Sequence, residues 1–413
     1  MKTHDLTTGS VFRRSLASSP LRYGDFRALW LSTVFTGASF IGETVVLGWL
    51  LLERTDSAFV VGLGVALRAL PGLLLGIPGG ALADRVDRRL LIRLGGFALA
   101  ADAALLGGLA LAGQLAVWHI LLLTFLGGCI RTLSQAARQS YAFDIVGPAQ
   151  VVGAMAFMTL GQRVGGMAGS LGAGLLLAAW GAGEAYLAMA LCHVLSIAAV
   201  MLARTRGQAA PVSRPPVWDG IKEYLTELSS NRSLGVLVAL TAAVEVFGFS
   251  NQAVMPSLAR DLLDLGPGGL GLLNAFASGG GMVAILTVSL WGEVQRKGRT
   301  FLIVVLFFGA ALVLLGLADR LAVALIAVAL VNGLAALTDL LSQSLVQSAV
   351  ANDLRGRAMG SWVLAIGLGP VGHLQIGALA ALMGVSLALI ANGALLMALA
   401  LGVLLAGSSI RRL

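Results

Sequence analysis

The chain has 413 residues, 58% hydrophobic and 12% charged, with a mean hydropathy of +0.90. Soluble domains are about 45–50% apolar and about 25% charged, so 28 basic and 20 acidic residues are too few to clothe a soluble fold of this length. A soluble enzyme, a disordered chain and a water-soluble repeat protein are excluded. What remains is an all-α integral membrane protein, in which lipid replaces the polar shell.

In chain order, residues 1–26 are polar and basic, with no short apolar core leading to a cleavage site. Apolar runs long enough to span follow at 27–52, 58–82, 90–112, 115–137, 150–179, 184–203, 233–259, 268–291, 300–318, 321–343, 357–381 and 384–406. The long hydrophilic stretch 204–232 carries Pro211, Pro215 and Pro216 and a short amphipathic piece from Asp219 to Glu227. It reads as a cytoplasmic linker with a surface helix. It divides a six-helix bundle at 27–203 from a second at 233–406, and 407–413 form a tail.

The net charge of +8 tests topology. With the N-terminus in the cytoplasm, about 22 of the 28 Lys and Arg fall on cytoplasmic segments. Arg54, Arg260 and Arg320 fall outside, and Arg68, Arg131 and Arg163 lie within spans. That asymmetry follows the positive-inside rule and accounts for the basic balance without nucleic acid. An even span count puts both termini on the cytoplasmic side. Cys129 and Cys192 sit in apolar runs, as buried core thiols do, and form no disulfide frame or metal site.

The halves repeat. Ser134-Gln135 and Gln139-Ser140 recur as Ser342-Gln343 and Gln347-Ser348, offset by 208, which also sets Asp144 opposite Asn352 and Arg131 opposite Asp339. A two-fold repeat of six spans is a transporter plan with substrate held between the halves.

After the second run the chain reads Gly80-Ala81-Leu82-Ala83-Asp84-Arg85-Val86-Asp87-Arg88-Arg89. This resembles the loop 2–3 signature of the major facilitator superfamily, Gly-x-Leu-Ala-Asp-Arg-x-Gly-Arg-Arg, with Asp87 at the second Gly. The fourth run holds Arg131-Thr132-Leu133-Ser134-Gln135, similar to an intramembrane Arg-x-x-Gln element with Gln one place late. The fifth carries Gly161, Gly165, Gly166 and Gly169, similar to the antiporter signature with Gly166 for Pro and Ser170 for the last Gly; small residues four apart also serve plain helix packing. Gly369, Pro370 and Gly372 form a comparable element in the eleventh run. Ala83–Arg89 and Ala137-Arg138 with Ser140, Asp144 and Val146 are similar to bacterial efflux members of the enterobactin-exporter and macrolide-efflux type.

The resemblance implies a fold of twelve transmembrane helices in two pseudo-symmetric six-helix halves, in a bacterial inner or plasma membrane. It also implies a gate at Gly80, Asp84, Arg85, Arg88 and Arg89 that latches on the eleventh span, with plain positive-inside charge as the other reading of the arginines. Residues 161–169 and 369–372 are then helix-packing motifs.

Ionisable residues inside spans are costly and mark pathways or paired sites. The acids are Glu43, Asp102, Glu245 and Asp339, and the bases Arg68, Arg131 and Arg163. At 1.5 Å per residue, Glu43 lies ~24 Å, Asp102 ~18 Å and Glu245 ~18 Å into their spans, and Arg68 ~15 Å from the outer start of its own. An acid–Arg network in the first half is expected, with Arg131 and Asp339 nearer the cytoplasmic ends in a gating role. Glu43 and Glu245 are expected to bind protons or a cationic or polar substrate, with Arg68, Asp102 and Arg163 setting their proton affinity; static ion pairing is the alternative. His193, in apolar surroundings, reads as a packing residue, and His373 stays open.

No His-Glu-x-x-His, Gly-x-Ser-x-Gly or phosphate loop occurs, so an enzyme is not expected, nor a cofactor. The reading is a monomeric secondary transporter working by alternating access. It couples protons to export of a small amphipathic compound (drug, siderophore or metabolite), and its partners are the bilayer, substrate and protons. The alternative is a flippase or importer of lipid-like compounds, which lateral openings lined by Gly and Ala would favour.

Overall fold

In lipid every backbone polar group must be satisfied within the chain, so long apolar runs become helices. The computed structural model describes residues 19–205, 207, 232–291, 296–349 and 362–406, and within these not the side chains of 77–85, 232–233 and 289–291. Every regular element among the described residues is helical: α1 (Gly24–Thr55), α2 (Ala58–Arg85), α3 (Arg88–Leu111), α4 (Val117–Val146), α5 (Val151–Ala179), α6 (Ala182–Leu202), α7 (Arg232–Ala243), α8 (Pro267–Trp291), α9 (Lys297–Gly316), α10 (Leu321–Ser348), α11 (Gly369–Met383) and α12 (Val385–Leu405), with short irregular turns between. The expected linker piece at 219–227, the tail at 407–413 and Asn352 lie outside the described residues.

Eleven stretches among the described residues are long and apolar enough to cross a membrane. The exception is α5, which Gly residues, Gln162 and Arg163 dilute. Large apolar side chains such as Leu175, Leu202, Leu382 and Leu405 are exposed on the outside of the bundle, as a lipid-facing surface requires. The protein is a multi-pass membrane protein.

The seventh span, Leu234–Leu262, is not one regular helix. From α7 it passes through a π turn (Val244–Gly248), a 3-10 turn (Phe249–Val254), an α turn (Met255–Ser257) and a second π turn (Leu258–Leu262). Pro256 removes one backbone donor in this stretch, and π turns gather at functional positions. Glu245 lies in the first π turn and Arg260 in the second.

Reversals are tight. Gly384 alone links α11 to α12, at φ 86, a conformation that favours a residue without Cβ. Polar contacts sort the helix ends into two groups. At one end, Arg54 Nη1 donates to Leu115 O (2.8 Å), Ser386 Oγ to Gly316 O (2.5 Å), and Arg260 pairs with Asp56 (2.5 Å). At the opposite, terminal end, Thr205 N donates to Asp25 (2.7 Å) and Tyr141 OH to Thr205 O (2.7 Å). The first group is called the far end below.

The same packing pairs recur along the chain. α2 packs on α4 and α8 on α10; α3 packs on α6 and α9 on α12; α1 packs on α5, and the π and 3-10 turns of the seventh span on α11. Two further pairs cross between the early and late helices, α2 with α11 and α5 with α8. Both close where glycines let backbones meet. A Cβ on Gly62 would lie 2.5 Å from His373 O, and one on Gly174 2.9 Å from Gly271 Cα.

Candidate charge network and central cavity

Helix α1 carries a polar stripe at helical spacing: Ser32, Thr36, Ser39 and Glu43. Its last member is a hub. Glu43 Oε2 accepts from Arg131 Nη2 of α4 at 2.7 Å and lies 3.7 Å from Arg68 Nη2 of α2. Glu43 Oε1 accepts from Ser39 Oγ (2.8 Å) and sits 2.8 Å from His193 Nε2 of α6, which is also 2.7 Å from Ser39 Oγ. Arg68 also donates to Phe40 O (2.6 Å) and to Thr44 Oγ1. Both guanidiniums lie over the Phe40 ring, Arg68 at 4.1 Å and Arg131 at 4.5 Å from its centroid, a cation–π arrangement. One carboxylate thus ties α1 to three neighbouring helices.

Behind this hub is a cavity of about 20 Å³ lined by Glu43, Arg68, Asp102, Arg131 and Tyr186, among others. Asp102 reaches it without a hydrogen bond or ion pair among the described residues, and interacts with Glu43 and Arg131 only electrostatically. The expected acid–Arg network therefore exists in the first helices, but Arg131 belongs to it directly, through Glu43. Arg131 lies at about the middle of α4. His193 is not a mere packing residue either, because a carboxylate and a hydroxyl on α1 reach its ring.

A second, larger cavity of about 300 Å³ lies between α1 and α5 on one side and the seventh span, α8 and α10 on the other. Its polar lining is Gln162, Arg163, Asn251, Gln252, Asn274 and Asn332, with Thr44, Thr159 and Ser278; Phe40, Ile41 and Met255 supply apolar wall. Arg163 is the charged member of that lining, and neither Glu43 nor Glu245 belongs to it. Asp339 interacts electrostatically with Arg163 and with Glu245, yet no ion pair forms between them among the described residues. Among the described residues Arg163 makes no ion pair with Glu43 or Glu245. Glu245 instead packs on α11, where a Cβ on Gly369 would lie 2.8 Å from Glu245 Oε1. His373 Nδ1 is buried without a hydrogen-bond partner.

The glycine elements act at helix contacts. A Cβ on Gly161 would lie 2.9 Å from Trp30 Nε1, and one on Gly166 2.8 Å from Ile41 Cγ1. Cβ atoms on Gly165 and Gly169 would collide with the α1 backbone at Val34 and Ala38. Gly372 does the same for α11 against Val246 of the first π turn, next to Pro370. At the terminal end, Asp87 caps α3 by accepting from Arg89 N (2.8 Å) and Leu90 N (3.3 Å), which explains an Asp where the signature has Gly. Arg88 is buried and pairs with Asp144 of α4 at 2.5 Å, and Arg89 Nη2 donates to Met201 O (3.1 Å). The side chains of Asp84 and Arg85, the surroundings of Gly80 and the start of the eleventh span lie outside what the structure describes.

The major facilitator family model described as transmembrane secretion effector matches residues 15–410. The chain belongs to this family. It is 27% identical over 371 residues to the enterobactin exporter EntS of Shigella flexneri, covering 87% of this chain and 85% of that one. A point mutant of the nucleoside transporter NupG superposes with a TM-score of 0.80 at 9% identity, covering 93% of this chain and 100% of the other. A bacterial homolog of the human lysosomal transporter Spinster, inward-facing and unoccupied, gives 0.69 at 15% identity, covering 94% and 97%. These two likenesses show the fold. This member of the major facilitator superfamily is thus a transporter, with an exporter among its relatives and no enzyme among those cited.

One functional candidate in this major facilitator chain escaped the sequence reading. Arg138, counted with the cytoplasmic arginines, is 5% exposed inside α4. Its Nη1 donates to Ser32 Oγ (2.8 Å) and its Nη2 to Thr36 Oγ1 (3.2 Å). The signal that could have found it is the Ser32–Thr36 stripe on α1.

Proposed function

We propose that this chain is a twelve-span, monomeric secondary transporter of two pseudo-symmetric halves that exports a small amphipathic compound by alternating access, in exchange for protons. The observation that carries this reading is the polar cavity flanked by α1 and α5 on one side and by the seventh span, α8 and α10 on the other. Substrate sites of two-fold transporters lie at such a repeat interface. The recurring packing pairs and the 208-residue offset support the pseudo-symmetry, and α5 is counted as the twelfth span. The contacts of Gly62, Gly174 and Asp56 with later helices support a state closed at the far end. The asymmetry of the basic residues supports cytoplasmic termini, the EntS relative supports a bacterial cell membrane, and in this reading the loop after α2 acts as a gate on the cytoplasmic side. The EntS relative supports the direction, export.

Glu43 is the proton-coupling group in this reading. Moving its carboxyl between the Arg131–Arg68–His193 cluster and a less charged setting changes its proton affinity, and a hub that touches four helices senses their rearrangement. Glu245, on a π turn, is the second candidate, with Asp102 and Asp339 modulating the two. Transport into vesicles under an imposed pH gradient tests this: Glu43→Gln or Glu245→Gln slows it at least tenfold, and wild-type rates for both variants sink the coupling mechanism.

A specific observation favours one other reading, transport of a lipid-like compound. A lateral apolar groove of about 820 Å³ runs between α5, α8 and α10, floored by Gly279, Gly280, Gly333, Ala275 and Ala329. Gradient-independent flipping of a fluorescent phospholipid in proteoliposomes would move the assignment to that alternative.

A further inference from the structure

We propose that the central cavity selects compounds bearing a carboxylate or comparable anionic group, with Arg163 as the residue that holds it. The inference rests on the cavity being the substrate site. From the sequence, Glu43 and Glu245 are expected to bind protons or a cationic or polar substrate, but neither acid lines this cavity. Glu43 is engaged by Arg131, Ser39 and His193, and Glu245 lies against Gly369.

Arg163 stands on α5 at about mid-length, in the Gly-rich stretch that brings α5 onto α1. Its guanidinium packs across Gly281 of α8, where a Cβ would lie 2.8 Å from Nη1. Among the described residues it makes no hydrogen bond and no ion pair, although guanidinium carries five donors in a fork suited to a carboxylate. Asp339 is the acid that interacts with it, beyond ion-pair distance. In a membrane interior an unengaged cation is costly, and a substrate anion relieves that cost.

The rest of the lining completes the site. Asn251, Asn274 and Asn332 each donate one amide hydrogen to their own helix backbone (3.1, 3.0 and 3.1 Å). Each keeps a second N–H and its carbonyl for a ligand. Gln162 and Gln252 have both groups uncommitted among the described residues. Phe40, Ile41 and Met255 offer apolar wall. A volume of about 300 Å³ is at the small end of ligand pockets, so the fit is a compact, monoanionic compound with an apolar ring and several hydrogen-bonding groups.

The test is equilibrium binding to the full chain in nanodiscs with three probes that share one fluorophore: dansylglycine (carboxylate), dansylamide (neutral) and dansylcadaverine (cation). Dansylglycine is expected to bind at least about tenfold more tightly than dansylcadaverine, the scale of one charge-assisted hydrogen bond. Arg163→Gln brings the two within about twofold by weakening dansylglycine, and dansylamide measured alongside reads any general change of the pocket. Arg163→Lys keeps a preference for the anion, and Asp339→Asn increases it. Equal or tighter binding of the cation, no saturable binding of dansylglycine, or an unchanged ratio in Arg163→Gln overturns the proposal. If Arg163→Gln does not fold, the Arg163→Lys and Asp339→Asn ratios decide. The measurement uses no gradient, so it stands or falls separately from proton coupling.

Discussion

Replacing Glu43 by Gln keeps the volume of the side chain and removes its charge. Arg131 (2.7 Å) and Arg68 (3.7 Å) then share the Phe40 ring with no carboxylate between them. Removing one partner of a buried ion pair costs about 3–5 kcal/mol. Side-chain exposures of 17% for Glu43 and 18% for Arg131 place this pair at the lower end, so we expect about 3 kcal/mol. At about 2 °C per kcal/mol for larger domains, that is a fall of roughly 6 °C in the unfolding midpoint. The double variant Glu43→Gln/Arg131→Gln removes both charges and regains part of the loss, with a coupling of about 1.5–3 kcal/mol in a double-mutant cycle. Thermal unfolding of the four proteins in nanodiscs gives these values. A Glu43→Gln protein that melts with wild type, or single losses that simply add, would refute the hub.

Three further outcomes follow from the packing. Gly169→Leu puts a side chain where even a Cβ would lie 2.5 Å from Ala38 Cα, so folded protein is lost in size-exclusion chromatography, whereas Gly108→Ala, with open space around it, elutes as wild type. Ser32→Ala with Thr36→Val strips Arg138 of its two best acceptors and destabilises by about 2–3 kcal/mol; adding Arg138→Met restores stability, which thermal unfolding checks. Arg260→Ala removes the far-end pair with the exposed Asp56, worth about 0.2–1 kcal/mol, and raises the open fraction about 1.4–5-fold in spin-label distances between positions 53 and 264.

Hydropathy carries the fold because lipid leaves the backbone few choices; the runs at 184–203 and 384–406 reappear nearly unchanged as α6 and α12. It misplaces Arg138 because averaging treats the polar Ser134–Ser140 stretch as the end of a span. In the structure α4 continues to Val146, and hydroxyls on α1 solvate the guanidinium. His193 was hidden for a similar reason: its sequence neighbours are apolar, and its partners Ser39 and Glu43 lie 150 residues or more away. The charges themselves were legible as a set, but their pairing was not. Depth along a helix does not say which face a side chain takes, so Glu43 and Arg131, expected at different levels, meet at 2.7 Å. The irregular seventh span had a signal in Pro256 and the polar Ser250–Gln252 stretch, but no periodicity from which π turns could be read.

In the proposed reading a proton gradient drives export through the cavity between the early and late helices. Everted vesicles containing the wild-type chain, supplied with a panel of small amphipathic compounds that includes dansylglycine, test it directly. Accumulation of a transported compound is predicted to collapse when a protonophore dissipates the gradient. Accumulation that survives the protonophore would contradict proton-coupled export.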